Sequence, residues 1–335
     1  MPDGQLVSVI IPAFNAADTI DATLRSVRAQ THRQLEILVV DDGSNDNTAA
    51  IVEAHARLDG RIRLLRQQNA GVAAARNWGI SEAKGEFVAP IDADDLWRPT
   101  KIEKELALLL KGGPDTGLAY SWQAEIDEHD DVIATSHRPI YEGNVFIPML
   151  TYNLVGSGSN ALMRRHAVLE CGGYDPSLRA RGGEGCEDLI LYILLAERYR
   201  FAVVREHLTG YRRRRGSMST KFLTMLRSRS LVDARLRLLY PEHVRYIRQG
   251  YARMCHWLLI NAVKERNYRA ALPLGSRLMV CDTIAAVKIG GRIPLALVRR
   301  VAGKHRHDSV AVNSPRRRFL AVDSAPAGPD RQVPA

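Results

Sequence analysis

The amino-acid sequence predicts an α/β fold with a mostly parallel sheet flanked by helices, followed by a helical C-terminal extension. Apolar, β-branched runs alternate with segments of helical periodicity through about residue 111. Such alternation is typical of parallel strands joined by crossover helices. Beyond Thr220 the apolar positions recur with helical spacing only. The strands predicted in the first part are Leu6–Ile11, Leu35–Val40, Ile62–Leu65 and Phe87–Ile91.

The helices predicted between and after these strands each carry one apolar face, and they cover residues 16–30, 48–58, 70–83 and 100–110. From residue 118 the pattern changes to short apolar runs, with one helix expected at 187–199. The short strands predicted in this second part are 118–122, 132–136, 160–164, 201–204 and 208–211.

The net charge of +10 is unevenly distributed along the 335 residues. Residues 1–204 contain 20 basic and 29 acidic side chains, whereas residues 205–335 contain 27 and 8. We therefore expect a catalytic domain at 1–219, a basic helical extension at 220–303 and a disordered tail at 304–335. The basic part is expected beside an anionic partner, such as a membrane surface, a phosphorylated substrate or nucleic acid.

The cysteines and the N-terminus predict a cytoplasmic protein. The four cysteines form no C-x-x-C pair, and so few cysteines are typical of a reducing compartment. The first residues have an acid where an export signal has bases, and no run of about 18 apolar residues predicts a transmembrane helix. Nucleic acid is the least favoured partner, because no Cys/His finger or RNA-binding aromatic pattern is present.

Polar side chains follow three of the predicted parallel strands. Taken alone, three acids at a strand end are either turn residues or ligands of a divalent metal. Parallel strands bring their carboxyl ends to one edge of a sheet, which favours a binding site there. We expect Asp95 to be the plain turn residue of the set. The residues are Asn15 after the first strand, Asp41 and Asp42 after the second, and Asp92, Asp94 and Asp95 after the fourth.

Other polar groups have two interpretations from sequence. For Arg76 we favour a solvated or salt-bridged surface arginine. Glu187 and Asp188 either complement a helix dipole or supply a general base to a cleft. The basic run 212–215 is either a solvated face or a loop that closes over phosphates. Neither a dinucleotide fingerprint nor a P-loop is present, so a bound nucleotide would be held in another way.

Several short segments occur in a recognisable order over residues 6–220. They are VSVIIPAFN, EILVVDDGSNDNT, NAGVAAARNWGI, FVAPIDADDLW, GGYD, a Glu-Asp pair and YR…SMS. In this combination the chain resembles the family 2 inverting glycosyltransferases, which have a GT-A fold. The closing segment departs from the Q-x-x-R-W form of processive synthases, which favours transfer of a single sugar.

The resemblance implies donor-binding roles for residues after the first two strands. Pro12, Phe14 and Asn15 match the loop that lines the pocket for the nucleotide base. Asp42 matches the acid that contacts that base.

The resemblance also implies roles for the residues around the diphosphate. Asp92 of the D-x-D motif faces the ribose, and Asp94 holds a divalent ion, Mg or Mn. Asp188 matches the catalytic base. Arg212 and Ser217 match a loop that closes over the donor.

The function implied is transfer of one sugar from a nucleotide-sugar donor to a sugar or lipid-linked acceptor in cell-surface polysaccharide biosynthesis. The alternative is a catalytically silent nucleotide-sugar-binding or membrane-docking scaffold protein, but the presence of Asp92, Asp94 and Asp188 together favours an enzyme. A nucleotidyltransferase would need a Gly-rich basic loop after the first strand, and PAFNAAD offers none. For the basic helices, a packed appendage and peripheral attachment to the anionic inner face of the plasma membrane both remain open.

Overall fold

A nine-stranded sheet lies at the centre of the residues described by this computed structural model, which are 4–214, 217–281 and 317–321. Its strands are β1 (Val7–Ala13), β2 (Leu35–Asp41), β3 (Ile62–Arg66), β4 (Phe87–Pro90), β5 (Leu96–Trp97), β6 (Thr116–Ile126), β7 (Val132–His137), β8 (Ala161–Arg164) and β9 (Arg200–Arg212). Their spatial order is β3-β2-β1-β4-β8-β6-β9-β5, and β7 pairs with β6 outside that path.

Helices cover both faces of the sheet and continue beyond it. They are α1 (Ile20–Arg28), α2 (Thr48–Leu58), α3 (Val72–Glu82), α4 (Lys101–Lys111), α5 (Phe146–Thr151), α6 (Arg165–Glu170), α7 (Ser177–Ala180), α8 (Glu187–Arg198), α9 (Phe222–Leu239), α10 (Val244–Lys264) and α11 (Tyr268–Cys281). Single turns of 3-10 helix lie at Met218–Thr220, Pro241–His243 and Phe319–Ala321.

The sheet changes direction between β4 and β8. Strand β1 pairs in parallel with β2 and β4, and β2 pairs in parallel with β3. Strand β8 runs antiparallel to both β4 and β6. The carboxyl ends of β1, β2 and β4 therefore meet at one edge, as the sequence predicts, and open α/β sheets bind ligands at such edges.

Successive side chains of the central strands belong to different hydrophobic clusters, because strand side chains alternate between the two faces. Val9 packs in one cluster with Leu24 of α1. Ile10, the next residue, packs in the other with Tyr192 of α8. All four side chains are fully buried. Burial of a Val, Leu or Ile side chain contributes about 1.5–3 kcal/mol, so these two layers stabilise the packing of helices on both faces of the sheet.

The second half of the sheet differs from the prediction in two ways. Strand β9 is continuous, whereas the sequence predicts two strands there. The register with β6 passes from Val204 opposite Ser121 to His207 opposite Trp122, so residues 205 and 206 form an irregularity within one strand. Strand β5 and the helices α5, α6 and α7 were not predicted, because two to six residues are too few to show a period.

Helices α9 and α10 share a hydrophobic core with the sheet. Val232, Leu236 and Ile247 belong to the same cluster as the residues of α8. At Gly250 a Cβ atom would lie 2.1 Å from the carbonyl oxygen of Leu150, so α10 touches the backbone of α5. Helices α9 and α10 are therefore packed on the rest of the fold, and α11 packs on α9 and α10 in a separate cluster. Residues 282–303 lie outside the described residues.

None of the described helices is both long enough and apolar enough to cross a membrane.

Five residues of the predicted tail, 317–321, are part of the fold. Phe319 is fully buried, and its N–H donates to the carbonyl of Asp130 at 2.8 Å. The prediction of disorder is wrong for these five residues, because one aromatic ring in an apolar pocket leaves no periodic pattern in the sequence. The rest of the predicted tail, 304–316 and 322–335, lies outside the described residues.

Candidate active site

The loop after β4 is a tight turn that is held by its own backbone and by the segment before β8. The N–H of Asp95 donates to the carbonyl of Asp92 at 3.1 Å and closes the turn. The N–H of Asp92 donates to Oγ of Ser159 at 2.9 Å. Ser159 lies two residues before β8, so the segments that adjoin β4 and β8 both hold this acidic loop in place.

Asp95 is buried, with 1% exposure. Its Oδ1 accepts a hydrogen bond from the N–H of Arg212 at 2.8 Å, and the Ser159 side chain also bonds to it. Burial, followed by the charges of Asp94 and Asp92, raises its pKa well above the usual value. The interpretation of Asp95 as a plain turn residue is therefore wrong, because its carboxyl group joins the loop to β9.

Asp94 lies beside a second carboxyl group. Burial, followed by the charge of Asp92, raises the pKa of Asp94 to about 6, and the charge of Arg212 partly opposes this shift. A divalent cation prefers carboxylate oxygens and would relieve the repulsion between the two acids. These side chains therefore suit such a cation. Within the described ranges no group of three or more His, Cys, Asp and Glu side chains could hold a metal unaided, so substrate oxygens or water would complete the coordination.

Arg76 connects this loop with the start of α8. The side chain is 2% exposed, and its Nη2 binds Oδ1 of Asp92 at 2.5 Å. Its Nη1 pairs with Oε1 of Glu187 at 3.4 Å, and the guanidinium lies 5.1 Å from the centre of the Tyr174 ring. The favoured interpretation of Arg76 as a surface arginine is wrong. It is a buried cation between two acids of the site.

Glu187 and Asp188 open α8, as predicted. Oε2 of Glu187 accepts a hydrogen bond from the N–H of Gly185 at 2.9 Å, and Oδ1 of Asp188 accepts one from Leu189 N–H at 2.6 Å. Burial, followed by the charge of Glu187, raises the pKa of Asp188 to about 7, while Arg76 opposes the shift. A carboxyl group that titrates near neutral pH is suited to general-base catalysis.

Asp42 supports the loop that leads into α3. Its Oδ1 accepts hydrogen bonds from Nε2 of Gln67 and the N–H of Ala70, both at 2.7 Å. Its Oδ2 accepts one from the N–H of Gly71 at 2.8 Å. The resemblance implies contact with a nucleotide base. Both oxygens already have partners in the protein, so a base could only share this carboxylate.

The residues after β1 lie at the same edge as Asp42. Pro12 is buried within the strand, whereas Phe14 is 49% exposed and presents its ring to solvent. Asn15 adopts a left-handed backbone with φ of 49°. Its Oδ1 accepts from Asn45 N–H at 2.9 Å, which ties this loop to the one after β2. Phe14 is thus the member of the predicted base pocket that is available for stacking.

Arg212 differs from its expected role. Its Nε donates to the carbonyl of Asp94 at 2.7 Å, and its Nη1 donates to the carbonyl of Asp127 at 2.6 Å. Its Nη2 binds Oδ1 of Asp130 at 2.6 Å. Since the guanidinium is buried on these acceptors, Arg212 braces the acidic loop. Ser217 lies beyond it, where its N–H donates to the carbonyl of Arg214 at 3.3 Å.

Comparison with known proteins places this geometry in a family. The sequence profile described as "Glycosyl transferase family 2" matches residues 8–172. Residues 8–172 of the chain therefore belong to glycosyltransferase family 2.

Two relatives of this chain have informative names. One is the "Putative teichuronic acid biosynthesis glycosyltransferase TuaG" of Bacillus subtilis, 41% identical over 107 residues, or 32% of this chain and 42% of the relative. The other is the "UDP-Glc:alpha-D-GlcNAc-diphosphoundecaprenol beta-1,3-glucosyltransferase WfgD" of Escherichia coli, 44% identical over 110 residues, or 32% of this chain and 43% of the relative. The chain thus spans about two fifths of the length of each.

Solved structures with the same fold support the GT-A architecture. S. aureus TarS 1-349 in complex with UDP-GlcNAc has a TM-score of 0.63 at 17% identity, covering 82% of this chain and 81% of that one. The mannosyltransferase PcManGT from Pyrobaculum calidifontis, in complex with GDP-Man and Mn2+, has a TM-score of 0.54 at 19% identity, covering 84% and 86%.

Three residues of this site were missed or misjudged from sequence, and two of them left some trace there. Arg76 follows Ala73 by three residues and precedes Ile80 by four, so it lies on the buried face of α3. Asp95 directly precedes the apolar pair 96–97. Arg212 ends a long strand, where a buried arginine cannot be told from a solvated one.

Proposed function

We propose that this protein is an inverting glycosyltransferase that moves one sugar from a nucleotide-sugar donor to an acceptor hydroxyl. The observation that carries the proposal is the buried Arg76, whose two ion pairs connect Asp92 with Glu187. Through this connection the donor-side acids and the candidate base share one site. Membership of glycosyltransferase family 2 supports the same activity.

In this proposal Asp188 is the general base. Inversion in a single in-line displacement requires the acceptor hydroxyl to lose its proton on the face opposite the leaving group. With a pKa near 7, the Asp188 carboxylate can accept that proton at neutral pH. A positioned base of this kind typically contributes ~10²–10⁴-fold. Glu187, bound to Arg76 and to the N–H of Gly185, is a positioning residue beside it.

We propose that Asp94, with Asp92 beside it, holds a divalent ion, either Mg²⁺ or Mn²⁺. The raised pKa of Asp94 supports this, because two adjacent carboxylates favour a cation. When bound, such an ion neutralises the charge that develops on a leaving diphosphate. The Mn2+ present with PcManGT is consistent with a metal in this fold.

The named complexes and relatives suggest which substrates to test. TarS was solved with UDP-GlcNAc and PcManGT with GDP-Man, so uridine and guanosine diphosphate sugars are the first donor candidates. The name of WfgD specifies a diphosphoundecaprenol-linked acceptor, and that of TuaG refers to teichuronic acid biosynthesis. By analogy we propose a sugar or lipid-linked acceptor in cell-surface polysaccharide biosynthesis.

A donor-hydrolysis screen tests the proposed activity. The protein is incubated with UDP-, GDP- and dTDP-sugars in Mg²⁺, Mn²⁺ or EDTA, and release of nucleoside diphosphate is measured. We expect release from one base class, dependence on metal, and loss of release in Asp188→Asn. Asp115→Asn, at an exposed acid outside the site, is the matched control. The absence of release from every donor with both metals would contradict the proposal.

We further propose that the C-terminal helices contact the anionic inner face of the plasma membrane. Helix α11 exposes Tyr268, Leu272 and Met279, which recur with helical spacing, and the basic Arg269 next to Tyr268 is also exposed. Basic residues near such a surface contribute about 1 kcal/mol each. Co-sedimentation with anionic vesicles tests this, and equal binding to neutral vesicles would contradict it. None of the four cysteines is in a disulfide, which supports a cytoplasmic location.

A further inference from the structure

Residues 317–321, which we call the C-terminal clasp, pack beside the hairpin of β6 and β7. The N–H of Val132 donates to the carbonyl of Arg317 at 3.2 Å. The N–H of Phe319 donates to the carbonyl of Asp130 at 2.8 Å. The clasp therefore attaches to the backbone at the turn between the two strands and at the start of β7, far along the chain from its own position.

The side chain of Phe319 fills an apolar pocket next to the acidic loop. The guanidinium of Arg98 lies 4.9 Å from the centre of its ring, within the range of a cation–π contact. At Gly210 of β9 a Cβ atom would lie 2.9 Å from Cδ1 of Phe319, so the ring occupies the space that glycine leaves. The buried side chains that share this small cluster are Leu96, Ala124 and Ile126.

Two short paths connect Phe319 with Asp94. The first runs through Leu96, which shares the apolar cluster and lies two residues after Asp94. The second runs through Asp130, whose carbonyl accepts from Phe319 and whose carboxylate binds Nη2 of Arg212 at 2.6 Å. Arg212 in turn donates from Nε to the carbonyl of Asp94 at 2.7 Å.

The segments at both ends of these paths need external support. Strand β5, which follows the acidic loop, has only two residues. Asp130 adopts a left-handed backbone with φ of 68°, which Asp adopts more readily than most residues but which neighbouring contacts still have to stabilise. Phe319 and Arg212 supply such contacts to Asp130, one to its carbonyl and one to its carboxylate.

We infer that the C-terminal clasp is a positioning element of the donor site, in which Phe319 anchors the turn and the strand that hold Asp94. The inference rests on the proposed function only in that it assigns Asp94 to donor binding. It adds a part of the chain that lies beyond the matched family region, residues 8–172, to the machinery of that region.

Amide hydrogen exchange tests the positioning step without any substrate. In Phe319→Ala of the full chain, we expect faster exchange in peptides that cover residues 92–97 and 127–132. Leu320→Ala is the matched control, since Leu320 belongs to the same turn but is 47% exposed, and its exchange should equal that of the wild type. Unchanged exchange of residues 92–97 in Phe319→Ala would overturn the inference.

A conservative variant keeps the test decisive if Phe319→Ala fails to fold. Phe319→Leu retains an apolar side chain in the pocket but removes the ring beside Arg98. We expect partial acceleration of exchange, confined to the same two peptides. Acceleration spread evenly over the protein, or no acceleration, would mean that the clasp contributes general stability only and would overturn the inference.

Titration with UDP and GDP in Mn²⁺ tests the consequence for binding and separates the two proposals. If the wild type binds either nucleotide, Phe319→Ala or Phe319→Leu should bind it at least about tenfold more weakly, with a larger effect on donor KM than on kcat. Equal affinity despite faster loop exchange would overturn the positioning role. If the wild type binds neither nucleotide, the assigned donors are contradicted, and the exchange data still decide whether the clasp orders the loop.

Discussion

The loop after β4 contributes two acids to the candidate site besides Asp95, the N-terminus of α8 contributes two more, and one arginine stands between these two regions. Arg76 binds Asp92 in the loop and Glu187 on the helix. The second acid of each pair, Asp94 or Asp188, has a raised pKa, and the cause that follows burial is its own acidic neighbour. The two regions thus share one arrangement: one acid is paired with Arg76, and its acidic neighbour has a charged form that burial and repulsion disfavour.

The regions differ in how the second acid is held. The side chain of Arg212 donates to the backbone carbonyl of Asp94, and the pKa of the Asp94 carboxyl group is raised to about 6. Asp188 is held through Leu189 N–H at the start of a helix, and its pKa is about 7. In our proposal a metal ion neutralises the charge of Asp94, and a proton from the acceptor neutralises the charge of Asp188. The same pairing of acids thereby serves two kinds of chemistry.

The largest expected effect is a loss of turnover when Asp188, and not Asp94, is the acid that accepts the proton. Asp188→Asn should lower kcat by ~10²–10⁴-fold, because it removes the proton acceptor but keeps the oxygen that accepts Leu189 N–H. Nucleoside diphosphate binding should stay near the wild-type value in calorimetry. Turnover close to that of the wild type would show that the base assignment is wrong.

A stability measurement provides the control for Asp188→Asn. A folded pKa of about 7, raised from 3.8, means that the folded state binds this proton more tightly than the unfolded state. The stability contribution is therefore fully present below the unfolded pKa and is lost as pH rises through about 7. The variant lacks this loss, so its Tm at pH 8 should be at least that of the wild type.

The next largest effect concerns the arginine that the two regions share. Arg76→Ala leaves buried Glu187 without its cation and should lower the free energy of unfolding by about 3–5 kcal/mol, measured by urea denaturation. Arg25→Ala removes an exposed helix-surface pair with Asp21 and should cost under about 1 kcal/mol. Equal losses in the two variants would contradict the role of Arg76 as a buried connection.

A smaller effect tests the metal side of the comparison. Asp94→Asn should weaken Mn²⁺-dependent binding of nucleoside diphosphate at least about tenfold, because it removes the charge that a cation would neutralise. Calorimetric titration with and without EDTA measures this, and the exposed variant Asp115→Asn is the control. Metal-dependent affinity that survives in Asp94→Asn would remove this residue from the metal site.

The smallest effect tests the coupling between neighbouring acids on α8. Catalysis by Asp188 requires its charged form, so kcat/KM should rise with pH through about 7 in the wild type. Glu187→Gln removes the neighbouring charge and should move this limb to lower pH by roughly one unit or less. A pH–rate profile that keeps its midpoint would mean that the charge of Glu187 does not act on the base.

Much of the parallel half of the sheet follows from the sequence, because its strands and helices are long enough to show their periods. Asp92 and Asp94 follow β4, which pairs in parallel with β1, and β1 pairs in parallel with β2, so their shared edge with Asp42 is confirmed. The antiparallel half was predicted less well. There, β5 has two residues, and α7 has four, too few for a pattern to appear.

The partners of the site residues could not be predicted, because ion pairs join residues that are distant in sequence. Arg76 and Arg212 have the same side chain, yet only the fold assigns acids to one and mostly carbonyl groups to the other. The burial of Phe319 was even harder to predict, since its pocket is built from three separate strands. Sequence patterns identify faces of elements, and these contacts depend on how those faces meet.

The ion pair between Arg76 and Glu187 joins residues 111 positions apart, which has a consequence for biosynthesis. At translation rates of 5–20 residues per second, Arg76 is made roughly 6–22 s before Glu187. During that interval α3 can dock on the nascent sheet, but its arginine has Asp92 alone as a counter-charge. The site is thus completed late in translation, and for those seconds Arg76 lacks one of its two acidic partners.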